Sequence, residues 1–430
     1  MTHLAWVDAL PKSWAAKPLR ATADYVVSNV DKVPVDGEVP ARLCNYTDVY
    51  NNEFITLGLD FMQATATETE IAKFGLAVND VAITKDSESW DDIGVPALVR
   101  ETAEDLVCGY HLALIRPRKQ QMDGAFLLRC LQAKPVRVQL ELAANGVTRF
   151  GIPKSDIGAM TLPVPPLLQQ RAIADYLDRE TARLDALVAA KERVLGLLAE
   201  KRRAFITRAV TRGLDSCALL RDSGIPWLGE IPANWLLKRV KYIFKLIADP
   251  APEDNDFELL SLYTNIGVRP RKDLEARGNK STTTDSYWLV KQGDLVVNKL
   301  LAWMGAFGVS DYEGVTSPAY DILRPASDVN SYYYHHLFRC GICFPEIRRR
   351  SYGIMDMRLR LYFDRLGDML VPVPPVEEQA RIVEAIDVVA ARVDSIWRAT
   401  ERTIDLLKER RAALIAAAVT GQIDIPQAAT

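Results

Sequence analysis

One stretch of this sequence occurs twice without a gap, and a repeat of that length limits how the chain can fold. Residues 157–215 match residues 366–424, and Pro163 corresponds to Pro372, an offset of 372 − 163 = 209. The same offset relates Asp185 to Asp394. A long internal repeat indicates an architecture built from two copies of one unit.

Each copy of the repeat reads as a long helix. A proline-rich opening suits an extended lead-in followed by a first helical turn. Apolar residues then recur every seven positions, as at Leu177, Leu184 and Leu198 in the first copy. About 45 residues at roughly 1.5 Å each would span about 65 Å. Neither helix can bury its apolar seam alone, so we expect the two to pack on each other; two unrelated amphipathic helices are the alternative.

A second repeat precedes each long helix at some distance. Trp6 and Trp14 stand eight residues apart with Pro11 between them, and Trp227 and Trp235 repeat this spacing. We interpret this double-tryptophan motif as structural, with the aromatic side chains anchoring the start of each globular domain.

The segments between the double-tryptophan motif and the long helix differ in sequence between the two copies, but short stretches, which we call echoes, still match. Residues 79–85 resemble 293–299, and 113–117 resemble 321–325. Short apolar runs bounded by turn residues predict buried strands. Residues 124–131 and 331–344 have helical patterns, so each segment is predicted to be a mixed α/β domain.

The predicted fold is therefore mixed α/β, with two globular domains separated by two long antiparallel helices and related by a pseudo-twofold internal repeat. The predicted divisions are a first globular domain at residues 1–155, a first long helix at 156–224, a second globular domain at 225–364 and a second long helix at 365–430. Such symmetry would present one surface twice, to two copies of a partner.

Bulk properties narrow the function without fixing it. The chain has 430 residues, a net charge of −3 and six scattered cysteines. This cysteine usage favours a reducing, cytoplasmic location. No apolar run is long enough for a membrane span, and the first residues do not resemble a signal peptide. Any nucleic acid would have to meet local basic patches.

Motifs for catalysis are mostly missing. The sequence has no phosphate loop and no glycine-rich dinucleotide fingerprint. His335, His336, Cys340 and Cys343 form one cluster that could bind zinc, but a closed zinc site lacks further ligands here, so ordinary packing is favoured. Asp91 and Asp92 are better explained as solvated loop residues than as a catalytic pair.

Basic residues give the candidate nucleic-acid contacts. Arg149 and Arg358 stand at the same distance before the proline-rich openings, since 149 + 209 = 358. Arginine beside glycine and aromatic residues suits phosphate contact or base reading; solvated surface charge is the alternative. The full set of predicted DNA-binding residues is Lys85, Arg149, Lys154, Lys299, Arg348, Arg349, Arg350, Tyr352, Arg358 and Arg360.

These motifs resemble the DNA-specificity subunit of type I restriction-modification systems. The resemblance is carried by GIPWLGEIPANWLLKRVKYIF, GDLVVNKLLAWMGAFGVS, SPAYDILRP and LGDMLVPVPPVEEQARIV, and more loosely by LPVPPLLQQRAIADYLDRETARLD and DVAITKDSESWDDIGVPALV. It extends over essentially the whole chain.

The resemblance implies a non-catalytic, cytoplasmic subunit that binds double-stranded DNA. Two target recognition domains would each read one half of a split site, and the helices would set the spacer and dock two modification subunits. S-adenosylmethionine, ATP and magnesium would belong to the methyltransferase and restriction subunits, with no cofactor in this chain. Two other functions stay open: a coiled-coil scaffold that binds proteins, and a single-chain restriction enzyme or methyltransferase.

Overall fold

The structure is a computed structural model that describes residues 4–264, 266–273, 284, 286–353 and 359–425. Its contacts divide the chain into two compact units. Unit 1 comprises residues 1–192 and 401–430, and unit 2 comprises residues 193–400. Both divisions fall inside the long helices, so each unit contains a part of each repeat copy.

Unit 1 begins with short strands and helices and ends in the first long helix. Its strands are β1 (Ala15–Pro18), β2 (Ala23–Val27), β3 (Val39–Cys44), β4 (Phe54–Ile55), β5 (Met62–Ala66), β6 (Val81–Thr84), β7 (Asp86–Ser87), β8 (Pro96–Val99), β9 (Leu106–Cys108), β10 (Leu112–Pro117), β11 (Phe150–Gly151) and β12 (Thr161–Val164). Its helices are α1 (Ala5–Asp8), α2 (Leu19–Thr22), α3 (Tyr46–Asn51), α4 (Glu68–Phe74), α5 (Gly124–Gln132), α6 (Lys134–Ala143), α7 (Lys154–Ala159) and α8 (Leu167–Arg212), which continues into unit 2.

Unit 2 follows the same plan. Its strands are β13 (Leu220–Asp222), β14 (Glu230–Pro232), β15 (Leu236–Arg239), β16 (Phe244–Ile247), β17 (Leu260–Tyr263), β18 (Gly267–Pro270), β19 (Trp288–Val290), β20 (Leu295–Asn298), β21 (Phe307–Val309), β22 (Gly314–Thr316), β23 (Tyr320–Pro325) and β24 (Leu370–Val373). Its helices are α9 (Ser331–Phe338), α10 (Phe344–Arg350), α11 (Phe363–Gly367) and α12 (Val376–Val419), with short 3-10 turns at Val240–Tyr242, Arg271–Asp273, Ala302–Met304 and Gly341–Cys343.

The two long helices predicted from the repeat are confirmed. α8 has 46 residues and α12 has 44. Each follows a proline-containing strand, β12 or β24, as the extended lead-in required. Seam positions are buried in both helices, for example Leu177 in α8 and Ile386 in α12. None of the helices in the described ranges is long and apolar enough to span a membrane.

Each unit contains an ion pair between its two helix segments. In unit 1 Arg411 lies 3.0 Å from Asp185, and in unit 2 Arg202 lies 2.9 Å from Asp394. The repeat offset relates the two aspartates to each other and the two arginines to each other. Both pairs are partly exposed, so their stabilising effect is small, about 1 kcal/mol or less.

The strand framework is also duplicated. Ala15 pairs with Val164 between β1 and β12, and Leu236 pairs with Val373 between β15 and β24. Larger sheets follow in the order β2-β10-β6-β8-β4 in unit 1, where β4 lies parallel to β8 and the other neighbours are antiparallel, and β16-β23-β20-β21 in unit 2, which is antiparallel. The strands predicted from the echoes are those at β6, β10, β20 and β23, and the helix predicted over 124–131 is α5. The helix predicted over 331–344 is shorter, because α9 ends at Phe338 and a 3-10 turn precedes α10.

An ion pair between a buried aspartate and a partly exposed arginine supports each copy of this sheet. Asp80 accepts three hydrogen bonds from Arg116, the shortest of 2.7 Å, and Asp294 accepts two from Arg324, the shorter again of 2.7 Å. Both aspartates are about 2% exposed. Each also accepts a bond from a backbone N–H three residues earlier. These residues therefore fix the turn before the strand in both units.

Three of the four repeated tryptophans anchor their units as predicted. Trp6 and Trp14 are nearly buried, and their indole nitrogens donate to Pro135 and Gln169 at 3.0 Å. Trp235 is buried with its indole N–H unpaired within the described residues. Trp227 is half-buried.

Candidate nucleic-acid interface

The matched lysines lie where a central strand leaves each sheet. Lys85 follows β6 and Lys299 follows β20. The carbonyl of Lys85 accepts from the amide of Ile152 at 3.0 Å, and that of Lys299 accepts from Leu361 at 2.9 Å. Because 152 and 361 differ by the repeat offset, the same segment approaches the lysine in both units. We name residues 86–94 loop 1 and residues 300–308 loop 2.

Both lysines form ion pairs within their own unit. The ammonium of Lys85 lies 2.8 Å from Asp86, and that of Lys299 lies 3.2 Å from Asp321. Their side chains are about 20% exposed. Burial opposes ionisation of Asp86, but hydrogen bonds from Lys85 and His111 lower its pKa overall. Each lysine thus holds the base of its loop, in addition to the DNA contact predicted for it.

Unit 2 brings several predicted residues together around loop 2. The guanidinium of Arg348 lies 5.5 Å from the ring of Trp303, within cation–π range. Tyr352 stacks on Tyr362 at 5.2 Å. We call this region the unit 2 face; it comprises Lys299, Leu300, Trp303, Met304, Arg348, Tyr352, Arg360 and Tyr362.

Two further contacts connect the unit 2 face. The ammonium of Lys299 lies 6.0 Å from the ring of Tyr362. Tyr352 and Arg360 exchange two backbone hydrogen bonds of 3.1 and 3.0 Å. Lys299, Tyr352 and Arg360 thus share a surface that includes the base of loop 2.

The three consecutive arginines at the end of α10 do not all contact the same partner. Arg349 makes a bidentate pair with Glu346 at 2.8 Å, and Arg350 pairs with the same carboxylate at 2.7 Å. Burial raises the pKa of Glu346, but these guanidinium contacts outweigh it and lower the pKa. Arg348 alone turns to Trp303, so the three residues do not act as one patch. Arg358 lies outside the described residues.

Unit 1 places its predicted arginine beside loop 1. Arg149 immediately precedes β11, whose Phe150 pairs with Ser87 of β7. Its charge also acts on the hydroxyl of Tyr46. Lys154 lies elsewhere, at the start of α7, with its ammonium 5.8 Å from the ring of Tyr25.

Aromatic side chains accompany loop 1, as they do loop 2. Tyr46 stacks on Tyr50 at 5.5 Å, and the Tyr50 hydroxyl donates to Asp92 at 2.6 Å. Trp90, within loop 1, is 50% exposed. The DNA-binding prediction omitted these rings and Trp303. A signal was present in the sequence, since each loop carries a tryptophan four or five residues after its matched lysine.

The two loops differ in charge. Loop 1 contains Asp86, Glu88, Asp91 and Asp92, whereas loop 2 contains no charged residue. A phosphate backbone is attracted to cations and repelled by carboxylates. Loop 1 therefore suits contact with base edges, where carboxylates accept from cytosine, more than contact with phosphates.

The histidine and cysteine cluster packs within unit 2. His335 accepts a bond of 3.4 Å at Nδ1 from the Val309 amide, and Cys340 lies 2.9 Å from the Thr207 hydroxyl. Burial raises the pKa of the Cys343 thiol, which leaves it protonated and a poor metal ligand. Within the described ranges, no three His, Cys, Asp or Glu residues gather as metal ligands would.

The geometry defines a class of protein: a chain of two α/β units, each with a strand-end loop flanked by aromatic and charged side chains, and with a long helix repeated after each globular segment. Comparison with known proteins narrows that class. No protein-family model matches the chain.

Two curated proteins align with nearly the whole chain. A type I restriction enzyme MjaX specificity subunit of Methanocaldococcus jannaschii is 20% identical, with 97% of this chain and 96% of that protein covered. The type I restriction enzyme EcoKI specificity subunit of Escherichia coli is 24% identical, with 96% and 90% covered.

Two solved structures share the fold. The HsdS subunit from Thermoanaerobacter tengcongensis matches with a TM-score of 0.57 at 17% identity, covering 96% of this chain and 98% of that one. A chain from a structural study of assembly and conformational transition in a type I restriction-modification system matches with a TM-score of 0.65 at 18% identity, covering 96% and 99%. The resemblance to type I specificity subunits is thereby confirmed over nearly the full length.

Proposed function

We propose that this chain is the DNA-recognition subunit of a type I restriction-modification complex and that each unit reads one half of a split DNA site. The observation that carries the proposal is a duplicated framework that presents two different faces. Framework residues such as Asp80 and Asp294 repeat, whereas loops 1 and 2 do not. Two readers built on one scaffold would recognise two unlike half-sites.

The long helices would set the distance between the half-sites and dock two modification subunits. A repeated seam offers the same surface twice, which suits two copies of one partner. The modification subunits would bind S-adenosylmethionine and methylate adenine, and restriction subunits would supply ATP- and magnesium-dependent reactions. This chain would provide recognition alone, in the cytoplasm with the DNA that it reads.

Within each unit the exposed cations are the proposed DNA contacts. In unit 2 these are Arg348 and Arg360, which we propose act with the aromatic ring of Tyr352, because guanidinium and aromatic groups suit base edges and phosphates. In unit 1 the proposed contact is Arg149, whose repeat counterpart is Arg358. Lys85 and Lys299 would position their loops and add positive charge, while Lys154, Arg349, Arg350 and Arg358 would contact phosphates.

Methylation mapping in cells that express the chain with its modification subunit tests the proposal. We expect a split motif with a fixed gap. Arg360→Ala should weaken binding to one half-site by about 1–3 kcal/mol, as loss of a base contact does, while the other half-site stays unchanged. Lys245→Ala, an exposed cation on the edge strand β16, is the control. An active partner that methylates no preferred sequence would favour the protein scaffold.

A further inference from the structure

Loop 2 exposes two apolar side chains close together in the chain. Leu300 is 39% exposed and Met304 is 41% exposed. Between them Ala302 is fully buried, within the 3-10 turn Ala302–Met304. Scattered apolar residues are common on protein surfaces. Two of them at either end of one turn, beside a half-buried tryptophan, require a more specific explanation.

The turn that carries them is held in one conformation. The Leu300 amide donates to the side-chain oxygen of Asn298 at 3.0 Å, and the indole of Trp303 donates to the Leu300 carbonyl at 3.1 Å. Gly305 ends the turn with a φ of +85°, and an added Cβ would meet the Phe344 ring at 2.8 Å. Only glycine fits both conditions. The apolar side chains are therefore presented by a rigid base.

The charges around Leu300 and Met304 favour, as the binding partner, a polyanion that also has apolar surfaces. Loop 2 itself has no charged residue, but Lys299 precedes it and Arg348 lies against Trp303. Duplex DNA complements both parts of this surface, since its phosphates would meet the guanidinium of Arg348 and its stacked bases would meet the apolar groups. Leucine and methionine are among the side chains that proteins insert between base steps.

We propose that Leu300 and Met304 form an apolar wedge that enters one base step of the half-site read by unit 2. Insertion would partly unstack that step and kink the duplex. Because pyrimidine–purine steps unstack most easily, the wedge would select the sequence of a step by its deformability, without hydrogen bonds to its bases. This inference rests on the proposed recognition function and assigns loop 2 a specific part in it.

The test uses the full chain in complex with its modification subunit and a duplex carrying the mapped site. Each adenine of the half-site is replaced in turn by 2-aminopurine, and each guanine by 6-methylisoxanthopterin, so that every base step contains a reporter. The variants are Leu300→Ala with Met304→Ala together, and Leu246→Ala as the control. Leu246 is 44% exposed and lies on β16, at the opposite edge of the sheet from β21.

We expect fluorescence to rise at one base step away from the methylated adenine, which methyltransferases flip out of the duplex, with the wild-type complex and with the control. The double variant should abolish that rise and weaken site binding about tenfold, in the range of one lost base contact. A wild-type complex that binds its site with no change at any such step would overturn the wedge alone. A rise that persists in the double variant would also overturn it. A complex with no preferred site would contradict both the wedge and the proposed function.

Discussion

Helix α5 of unit 1 and helix α9 of unit 2 are equivalent in the repeat, but α5 carries a charged side chain at a position where α9 carries a neutral one. The N-cap residues are Asp123 and Asn330. Their backbone amides donate to the repeat-related Gln170 and Gln379, at 2.9 Å in both units. Six residues further on, the first helix carries Arg129 and the second carries His336.

In unit 1 this position is ionic. Arg129 is 1% exposed and contacts Glu53 at 2.7 Å and Asp178 of α8 at 2.5 Å. Glu53 also contacts Arg411 of α12 at 2.5 Å. The network therefore joins α5 and both long-helix segments of unit 1. The Nε atom of Arg129 has no hydrogen-bond partner within the described residues.

In unit 2 the position is neutral. Burial, together with the nearby charges of Arg339 and Arg202, lowers the pKa of His336 to about 4. Arg202 is the repeat counterpart of Arg411. The arginine at this position of the long helix belongs to an ionic network in unit 1 and lies near an uncharged imidazole in unit 2. The hydrogen bond from the N-cap amide to the glutamine is present in both units and therefore fixes the position of the helix. The side chains that pack beneath the helix differ between the two units.

Substitution of the framework aspartates should destabilise both units equally, and this is the largest effect that we expect. Asp80→Ala and Asp294→Ala each remove a buried carboxylate, which breaks its charge-assisted hydrogen bonds to a partly exposed arginine and leaves a backbone N–H without its acceptor. Together these losses should cost about 3–5 kcal/mol of unfolding free energy. Hydrogen exchange of peptides in the same unit measures the loss. Asp24→Ala, which removes a pair exposed by 44% and 69%, should cost less than about 1 kcal/mol. Strongly unequal losses at the two aspartates would break the comparison.

Sequence alone predicted the framework because framework residues are held by fixed backbone geometry. Asp80 and Asp294 cap a turn through backbone amides, and Gln170 and Gln379 reach the carbonyls of Pro165 and Pro374. Such contacts need one residue type at one position, so they survive in both copies. The long repeat therefore located the long helices, and the short echoes located the matching strands.

The candidate faces were harder to predict because side-chain direction depends on tertiary contacts. Arg348 and Arg349 are neighbours in sequence, yet one turns to Trp303 and the other to Glu346. A basic residue in a sequence shows that a cation is present, but it does not show which group that cation contacts. The same holds for Lys85, whose ion pair with Asp86 joins adjacent residues. Their roles in DNA contact remain predictions.

The ionic network should make unit 1 more sensitive than unit 2 at the compared helix position. Arg129→Met keeps much of the side-chain volume but leaves Glu53 and Asp178 without their shared cation, at a cost of about 3 kcal/mol. His336→Met exchanges an already neutral group and should cost less than about 1.5 kcal/mol. Hydrogen exchange in α5 and α9 compares the two variants. Equal losses would show that charge does not distinguish these positions.

The smallest effect that we expect is a pH dependence confined to unit 2. Because the folded pKa of His336 is near 4 and the unfolded value is about 6.5, only the unfolded chain takes up this proton between those limits. Stability from the neutral ring is therefore complete above about pH 6.5 and is lost as pH falls toward 4, by about 2–3 kcal/mol. His336→Gln should remove this part of the slope, and Arg129→Met should not. Hydrogen exchange of α9 across that range measures it, and an unchanged slope in His336→Gln would place the titrating group elsewhere.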